Sequence, residues 1–339
     1  MSLRQTFYPW PAANAEMRLL VTGANGFIGS ALMRRCAGET SWQVRGTVRK
    51  HLPAPPINAD MMVVGDLTPD TDWSRAVAGV DAVVHAAARV HVMRDRAADP
   101  LADFRRANVD GTMKLARQAA AAGVNRFVFI SSIKVNGDRT MPGRPFRPDD
   151  IPAPVDPYGV SKAEAEEELC ALANKSGMKV VIIRPVLVYG PGVKANFHSL
   201  MRLLRLGLPL PLGAIRNARS MVALDNLVDL IVTCVLHPDA RNQTFLVSDG
   251  DDLSTTSLLQ RLGAALGSPA RLIPVPSWII GATLTVLGRR DVAERLCGSL
   301  QVDMAATHAI LGWVPPVGVD DALKQTARHF LATVNGGDE

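Results

Sequence analysis

Short apolar runs alternate with longer helical patterns over the first half of the chain. Met17 to Thr22 (MRLLVT), Trp42 to Val48, Met61 to Val64, Asp81 to Ala87 (DAVVHAA), Arg126 to Ile130 (RFVFI) and Lys179 to Arg184 each read as a strand. Helical stretches fill the gaps. One follows Gly29 and ends near Gly38. A second spans Pro100 to Ala122 and is stopped by Gly123. A third spans Pro157 to Ser176, with Asp156 as N-cap, Pro157 at the first helical position and Gly177 as its end. Such alternation predicts an α/β, doubly wound parallel sheet with helices on both faces. Past Pro185 the pattern breaks into shorter helices divided by proline turns, which predicts a smaller, mostly helical C-terminal lobe. Asp225 to Leu236 and Gln243 to Val247 read as a helix and a strand returning to the sheet. The predicted domains are therefore 17–184 with 222–249 returning to it, and a lobe made of 185–221 and 250–335.

Composition narrows the class. A chain of 339 residues with 47% hydrophobic and 20% charged residues buries a large core and is not disordered. A net charge of +5, dispersed along the chain, is mild for a nucleic-acid binder and fits an enzyme with anionic ligands. Cys36, Cys170, Cys234 and Cys297 are widely spaced, which predicts reduced thiols in a cytoplasmic protein and no zinc or other metal site. The segment Trp278 to Leu287 is apolar but too short to span a bilayer, so it reads as a buried or subunit-facing helix without stable membrane insertion.

The chemistry begins at Gly23-Ala24-Asn25-Gly26-Phe27-Ile28-Gly29, directly after the first strand and before a helix. Strand, glycine turn and helix in that order form a dinucleotide-binding Rossmann fingerprint, with the helix N-terminus aimed at a pyrophosphate. No acid stands at the end of the second strand to take a ribose 2′-hydroxyl; Arg49 and Lys50 stand there instead, which predicts NADP, with NAD as the other candidate. Asp66, next to Leu67, is placed to meet an adenine amino group. Small residues at Ala86 and Ala87 would let a cofactor cross the strand ends. His85 reads as a packed structural histidine. Asn108 could hold backbone or water, or simply pack.

Tyr158 and Lys162 share one helix face four residues apart, and Ser132 ends the fifth strand where it can face the same cleft. An ammonium and a helix N-terminus both favour phenolate, so Tyr158 is predicted to have a lowered pKa and to act as an acid or base toward a sugar or alcohol oxygen. The acidic run Glu164, Glu166, Glu167 and Glu168 reads as a solvated face.

Together GANGFIG, ISS, YGVSK and IRPVLVYGPG resemble the extended short-chain dehydrogenase/reductase family, and within it the UDP-glucose 4-epimerase-like group, over about residues 17 to 335. The resemblance implies that Gly23, Gly26 and Gly29 lie under the pyrophosphate. It implies that Ser132 polarises the reacting oxygen, that Tyr158 is the acid/base and that Lys162 binds the nicotinamide ribose. Asn25, Phe27, Ile28 and Pro185 are further cofactor positions. Asn196 and Arg219 fall where the family contacts a nucleotide diphosphate, with Lys194, Lys134 and Arg89 as additional substrate positions. Sugar 4,6-dehydratases of this family carry an Asp-Glu pair where this chain has Ile133-Lys134, so dehydration is disfavoured. The resemblance also implies a UDP-sugar substrate and a homodimer. Two reactions remain: reduction of a 4-keto UDP-sugar, to which Arg49 tilts the reading, and C4 epimerisation through a 4-keto intermediate, to which the overall similarity pulls. A reductase of a non-nucleotide carbonyl and a non-catalytic NAD(P) sensor are weaker alternatives.

Overall fold

The structure, a computed structural model, describes residues 17–39, 41–51, 60–90 and 99–335. The N-terminal residues, Phe7 to Pro11 among them, lie outside the described residues. In chain order the elements are β1 (Arg18–Thr22), α1 (Phe27–Glu39), β2 (Gln43–Val48), β3 (Asp60–Val63), α2 (Ser74–Val77), β4 (Ala82–His85), α3 (Pro100–Phe104), a π-helical stretch Arg105–Gly111, α4 (Thr112–Ala121) and β5 (Arg126–Ile130). Then come α5 (Pro157–Ser176), β6 (Lys179–Pro185), β7 (Leu187–Tyr189), α6 (Ala195–Arg205), β8 (Met221–Ala223), α7 (Leu224–Leu236) and β9 (Thr244–Val247). The chain closes with α8 (Thr255–Ala265), α9 (Ser277–Val286), α10 (Arg290–Cys297), α11 (Ala305–Leu311) and α12 (Val319–Asn335).

Seven strands form one sheet in the order β3-β2-β1-β4-β5-β6-β9, and β7 pairs with β8 in a separate two-stranded sheet. The pairs β1–β2, β1–β4, β2–β3 and β4–β5 are all parallel. Leaving β1, the chain turns one way to β2 and β3, then returns to β4 on the other side. The crevice between the carboxyl ends of β1 and β4 is thus a switch point of the kind that binds ligands in doubly wound sheets.

The chain divides into two compact units. Among the described residues, the first contains those of 17–130, 164–182 and 231–243; the second contains 131–163, 183–230 and 244–335. In the first, β1 and β4 are apolar on both faces, as sheet-centre strands must be. Leu20, Val83, Phe127 and Phe129 from the sheet pack with Leu115 and Ala116 of α4 and with Ala165, Leu169 and Ala173 of α5. The spacing of those α5 residues puts them on one helix face. Glu166 of the same helix is also buried, and Glu164 pairs with Arg105 at 2.5 Å, so the acidic run is not the uniformly solvated face that its composition predicts. In the second unit α8 packs against both α6 and α12, and α9 packs against α10.

A polar chain runs through the first unit. His85 is fully buried; its Nδ1 lies 2.7 Å from the Thr22 hydroxyl and its Nε2 lies 2.9 Å from the Thr112 hydroxyl. The Ala87 N–H donates to the same Thr22 oxygen at 3.2 Å. Its ring stacks on Phe129 at 5.9 Å. The histidine is a structural tie, as its sequence setting predicts. Thr22→Val keeps the shape and removes the hydroxyl that serves both His85 and the Ala87 amide. A loss of about 1–3 kcal/mol is expected, read as a lowered denaturation midpoint without a change in m-value.

Candidate active site

In the first unit the glycine turn follows from close approach. Gly23 has φ +66°, and a Cβ there would sit 3.0 Å from the Ala87 Cα and N atoms. A Cβ on Gly29 would sit 2.2 Å from the Gly23 carbonyl oxygen. Neither position accepts a side chain without moving backbone. The Gly26 N–H donates to the Gly23 oxygen at 2.8 Å, closing the turn, with Asn25 exposed on it. Helix α1 then opens at Phe27 and Ile28 with its first amides free of intrahelical partners. Beside the turn stand Ala86 and Ala87, which are half-buried.

Two neighbouring segments frame this edge. Arg49 projects from the end of β2, and its guanidinium lies 3.8 Å from the Asp66 carboxylate, both side chains being largely exposed. The charge that the sequence assigns to a 2′-phosphate therefore faces a carboxylate. Leu67 packs on Gly111, where a Cβ would come within 2.9 Å of it. The π-helical stretch there lifts Asn108 out of ordinary register. Buried, Asn108 accepts from the Arg89 N–H at 2.8 Å and donates to the Arg89 carbonyl at 3.0 Å, so it clamps the chain after β4. The Arg89 guanidinium lies over Phe104, 5.6 Å from the ring centre, and 3.3 Å from Asp103.

The second unit holds Ser132, Lys134, Tyr158 and Lys162. Ser132 caps a short 3-10 turn, its Oγ accepting from the Lys134 N–H at 3.2 Å. Asp156 caps α5, its Oδ1 accepting from the Gly159 N–H at 2.7 Å. Gly159 is required there, since a Cβ would stand 2.8 Å from the Lys134 carbonyl oxygen. The other Asp156 oxygen is 3.2 Å from the Lys134 ammonium. Tyr158 follows on the first turn and hydrogen-bonds Ser132, while Lys162, one turn on, is 1% exposed. Burial of the phenol, then the Asp156 carboxylate, push the Tyr158 pKa up to about 12, and the Ser132 hydrogen bond opposes them. The predicted lowering is thus reversed in this structure: desolvation and a like-signed neighbour outweigh the helix terminus. Asp156 enters the sequence reading only as a cap. Its position two residues before the tyrosine was the available signal for its electrostatic role.

The remaining expected substrate positions also belong to the second unit. The Arg219 guanidinium donates through Nη1 to the carbonyls of Arg295 at 3.2 Å and Gly298 at 3.1 Å, so part of its donor fork is held by the end of α10. Lys194 is exposed just before α6, and Ala195 opens that helix with φ +54°. Asn196 lies within α6, but its side chain is outside the described residues. Pro185 ends β6 and is buried. A buried Tyr189 donates to Asp249 at 2.8 Å, and Asp249 also accepts from the Ala223 and Asn226 N–H groups. That network is invisible in the sequence because its members are far apart.

A hydroxyl pair such as Ser132 and Tyr158 can hold one oxygen of a carbinol or carbonyl and exchange a proton with it. The glycine turn can accept a dinucleotide pyrophosphate against backbone amides. The sequence model of the NAD dependent epimerase/dehydratase family matches residues 19–248. The chain is 49% identical over 321 residues to a UDP-glucose 4-epimerase of Vibrio cholerae, covering 94% of this chain and 96% of that protein. It is 25% identical over 325 residues, or 92% of this chain and 94% of the relative, to an N-acetyl-alpha-D-glucosaminyl-diphospho-ditrans,octacis-undecaprenol 4-epimerase of Escherichia coli O157:H7. The solved UDP-glucuronic acid 4-epimerase of Bacillus cereus in complex with NAD shares the fold, with a TM-score of 0.75 at 21% identity over 94% of this chain and 98% of that one.

The raised Tyr158 pKa has a stability consequence. With the folded value near 12 and the unfolded value at 10.0, its contribution is fully present below pH 10 and lost as pH rises toward 12. Tyr158→Phe removes this slope. The wild type should lose stability more steeply than the variant between those limits, as followed by denaturant titration at each pH. Parallel curves for the two proteins would contradict the assignment.

Proposed function

Because this chain belongs to the NAD dependent epimerase/dehydratase family, we propose that it interconverts the C4 epimers of a UDP-hexose or UDP-N-acetylhexosamine through a 4-keto intermediate, with NAD as its resident cofactor. The single observation that carries this reading is the 49% identity to a UDP-glucose 4-epimerase across nearly the full length of both chains. The tilt to a 4-keto reductase rested on Arg49. Arg49 lies 3.8 Å from Asp66 at the exposed end of β2, and the similarity favours the epimerase.

The cofactor fits the first unit's turn, where Gly23 and Gly29 leave room that a Cβ would fill. Gly26 and the amides opening α1 would hold the pyrophosphate, with Asn25, Phe27 and Ile28 around it. Asp66, Leu67, Ala86, Ala87 and Asn108 of the same unit would line the remainder. Once bound, NAD supplies reversible hydride acceptance. The protein's own part is proton movement. As the phenolate, Tyr158 takes the C4 hydroxyl proton and later returns it, and Ser132 donates to the same oxygen as it gains carbonyl character. A phenol held near pKa 12 keeps its proton at neutral pH. The Lys162 ammonium, on the same helix face, is the group proposed to favour phenolate during turnover. Arg219, with Lys194, Asn196, Lys134 and Arg89 as further contacts, is proposed to bind the UDP diphosphate and the sugar. A cytoplasmic homodimer is proposed as the working form.

One observation favours a second reading, C4 epimerisation of a sugar carried on a lipid diphosphate, as the E. coli relative's name describes: the apolar helix α9 is exposed in this chain.

Incubation of the purified protein with UDP-glucose, without added cofactor, should yield UDP-galactose by NMR, and the denatured enzyme should release NAD. Tyr158→Phe should cut turnover by roughly two to four orders of magnitude with the fold intact. Release of NADP together with NADPH consumption on a 4-keto sugar would restore the reductase reading. Activity confined to undecaprenyl-diphosphate-linked sugar would select the second reading. In a parallel binding assay, Arg219→Ala should weaken UDP binding by about tenfold or more while leaving NAD binding unchanged, the loss expected for a charge-assisted hydrogen bond. Equal loss of both ligands would reject its proposed role.

A further inference from the structure

Helix α9 reads SWIIGATLTV and contains no charged residue. Only Ile280 of its ten residues is buried. Trp278 is 73% exposed, Val286 88% and the following Leu287 68%, with Ile279 also exposed. The helix's threonines spend their hydroxyl protons on the helix itself: Thr283 donates to the Ile279 carbonyl at 2.8 Å and Thr285 to the Gly281 carbonyl at 2.7 Å. The C-terminal carbonyls are satisfied too: the N–H groups of Leu287, Gly288 and Arg289 return to Thr283, Thr285 and Leu284. Gly288, at φ +69°, makes that closure possible. The threonine hydroxyls and these last-turn carbonyls are thus satisfied within the chain. Immediately beyond it stand the exposed Arg289 and Arg290.

We propose that α9 is a peripheral docking element for an anionic lipid surface, with Trp278, Ile279, Val286 and Leu287 entering the headgroup boundary and Arg289 and Arg290 meeting lipid phosphates. The features match interfacial helices: an apolar exposed face, a tryptophan at one end and basic residues at the other. Ten residues extend only about 15 Å, which suits lying in the interface and not spanning it. Charge decides between occupants. An anionic surface complements the arginines, whereas a second copy of this chain would bring two Arg289–Arg290 pairs to one face while Glu294 is already paired with Arg290 at 3.0 Å. A strip of four large side chains also falls short of the roughly 800 Å² per partner that a stable protein interface buries. The α9–α10 hairpin has a link to chemistry as well, because the end of α10 holds the Arg219 guanidinium. Docking stands apart from which sugar carrier the enzyme uses.

Flotation of the purified full-length protein with vesicles tests this. Wild type should rise with phosphatidylcholine vesicles containing about 30% phosphatidylglycerol, rise far less with pure phosphatidylcholine, and be released by high salt. The double variant Trp278→Ser/Val286→Asp, and separately Arg289→Glu, should each bind at least tenfold more weakly. Thermal midpoint and turnover of soluble UDP-glucose should stay unchanged in both, since these side chains lie on the surface. Wild type that stays with the aqueous fraction at low salt would overturn the proposal, as would variants that float equally well. A dimer seen by light scattering and split by the double variant would also overturn it, by assigning the face to a second copy.

Discussion

The carboxyl edge of the sheet depends on the buried histidine between two threonines. One hydroxyl, that of Thr22, touches His85 and also receives the Ala87 amide. It thereby fixes the last residue of β1 against the first residues after β4, the two strands between which the chain reverses direction. Gly23 comes next and must approach Ala87 to 3.0 Å of any Cβ it might carry. The glycine turn is thus set by a hydrogen-bond chain in the core beneath it as much as by its own glycines. Such a chain is favourable only when every member is satisfied, because an unpartnered polar group at full burial costs more than the bond gains.

A similar economy governs the start of α5. Asp156 does three things with one carboxylate: it caps α5, pairs with Lys134 and sets the field at Tyr158. Lys134, from the turn that Ser132 caps, neutralises this carboxylate at 3.2 Å.

Surface and core interact in the second unit in an unexpected way. Helix α9 looks like a core segment by composition, yet only one of its residues is buried. Burial is a property of what an element packs against, and α9 packs mainly against α10. Of the two expected placements, buried or subunit-facing, burial within the chain does not hold, and the exposed apolar strip needs its own physical account.

Much of the fold was legible because its determinants are local. The apolar runs of β1, β4 and β5, the glycine turn, the Asp156-Pro157 start and the Gly177 end of α5 each follow from a few consecutive residues. Strand ends moved by one residue, as at Asp60 and Thr244, since terminal pairing depends on the neighbour strand. Ser132 and Tyr158 were legible as motif residues. The tertiary structure decided what depends on distant groups: that Arg49 faces Asp66, that Glu166 turns inward, that Asn108 clamps Arg89 from a π-helical register and that Arg219 is held by α10 carbonyls. It also reversed the sign of the Tyr158 shift. A sequence shows which charges are near in the chain, whereas a pKa answers to desolvation and to every charge near in space.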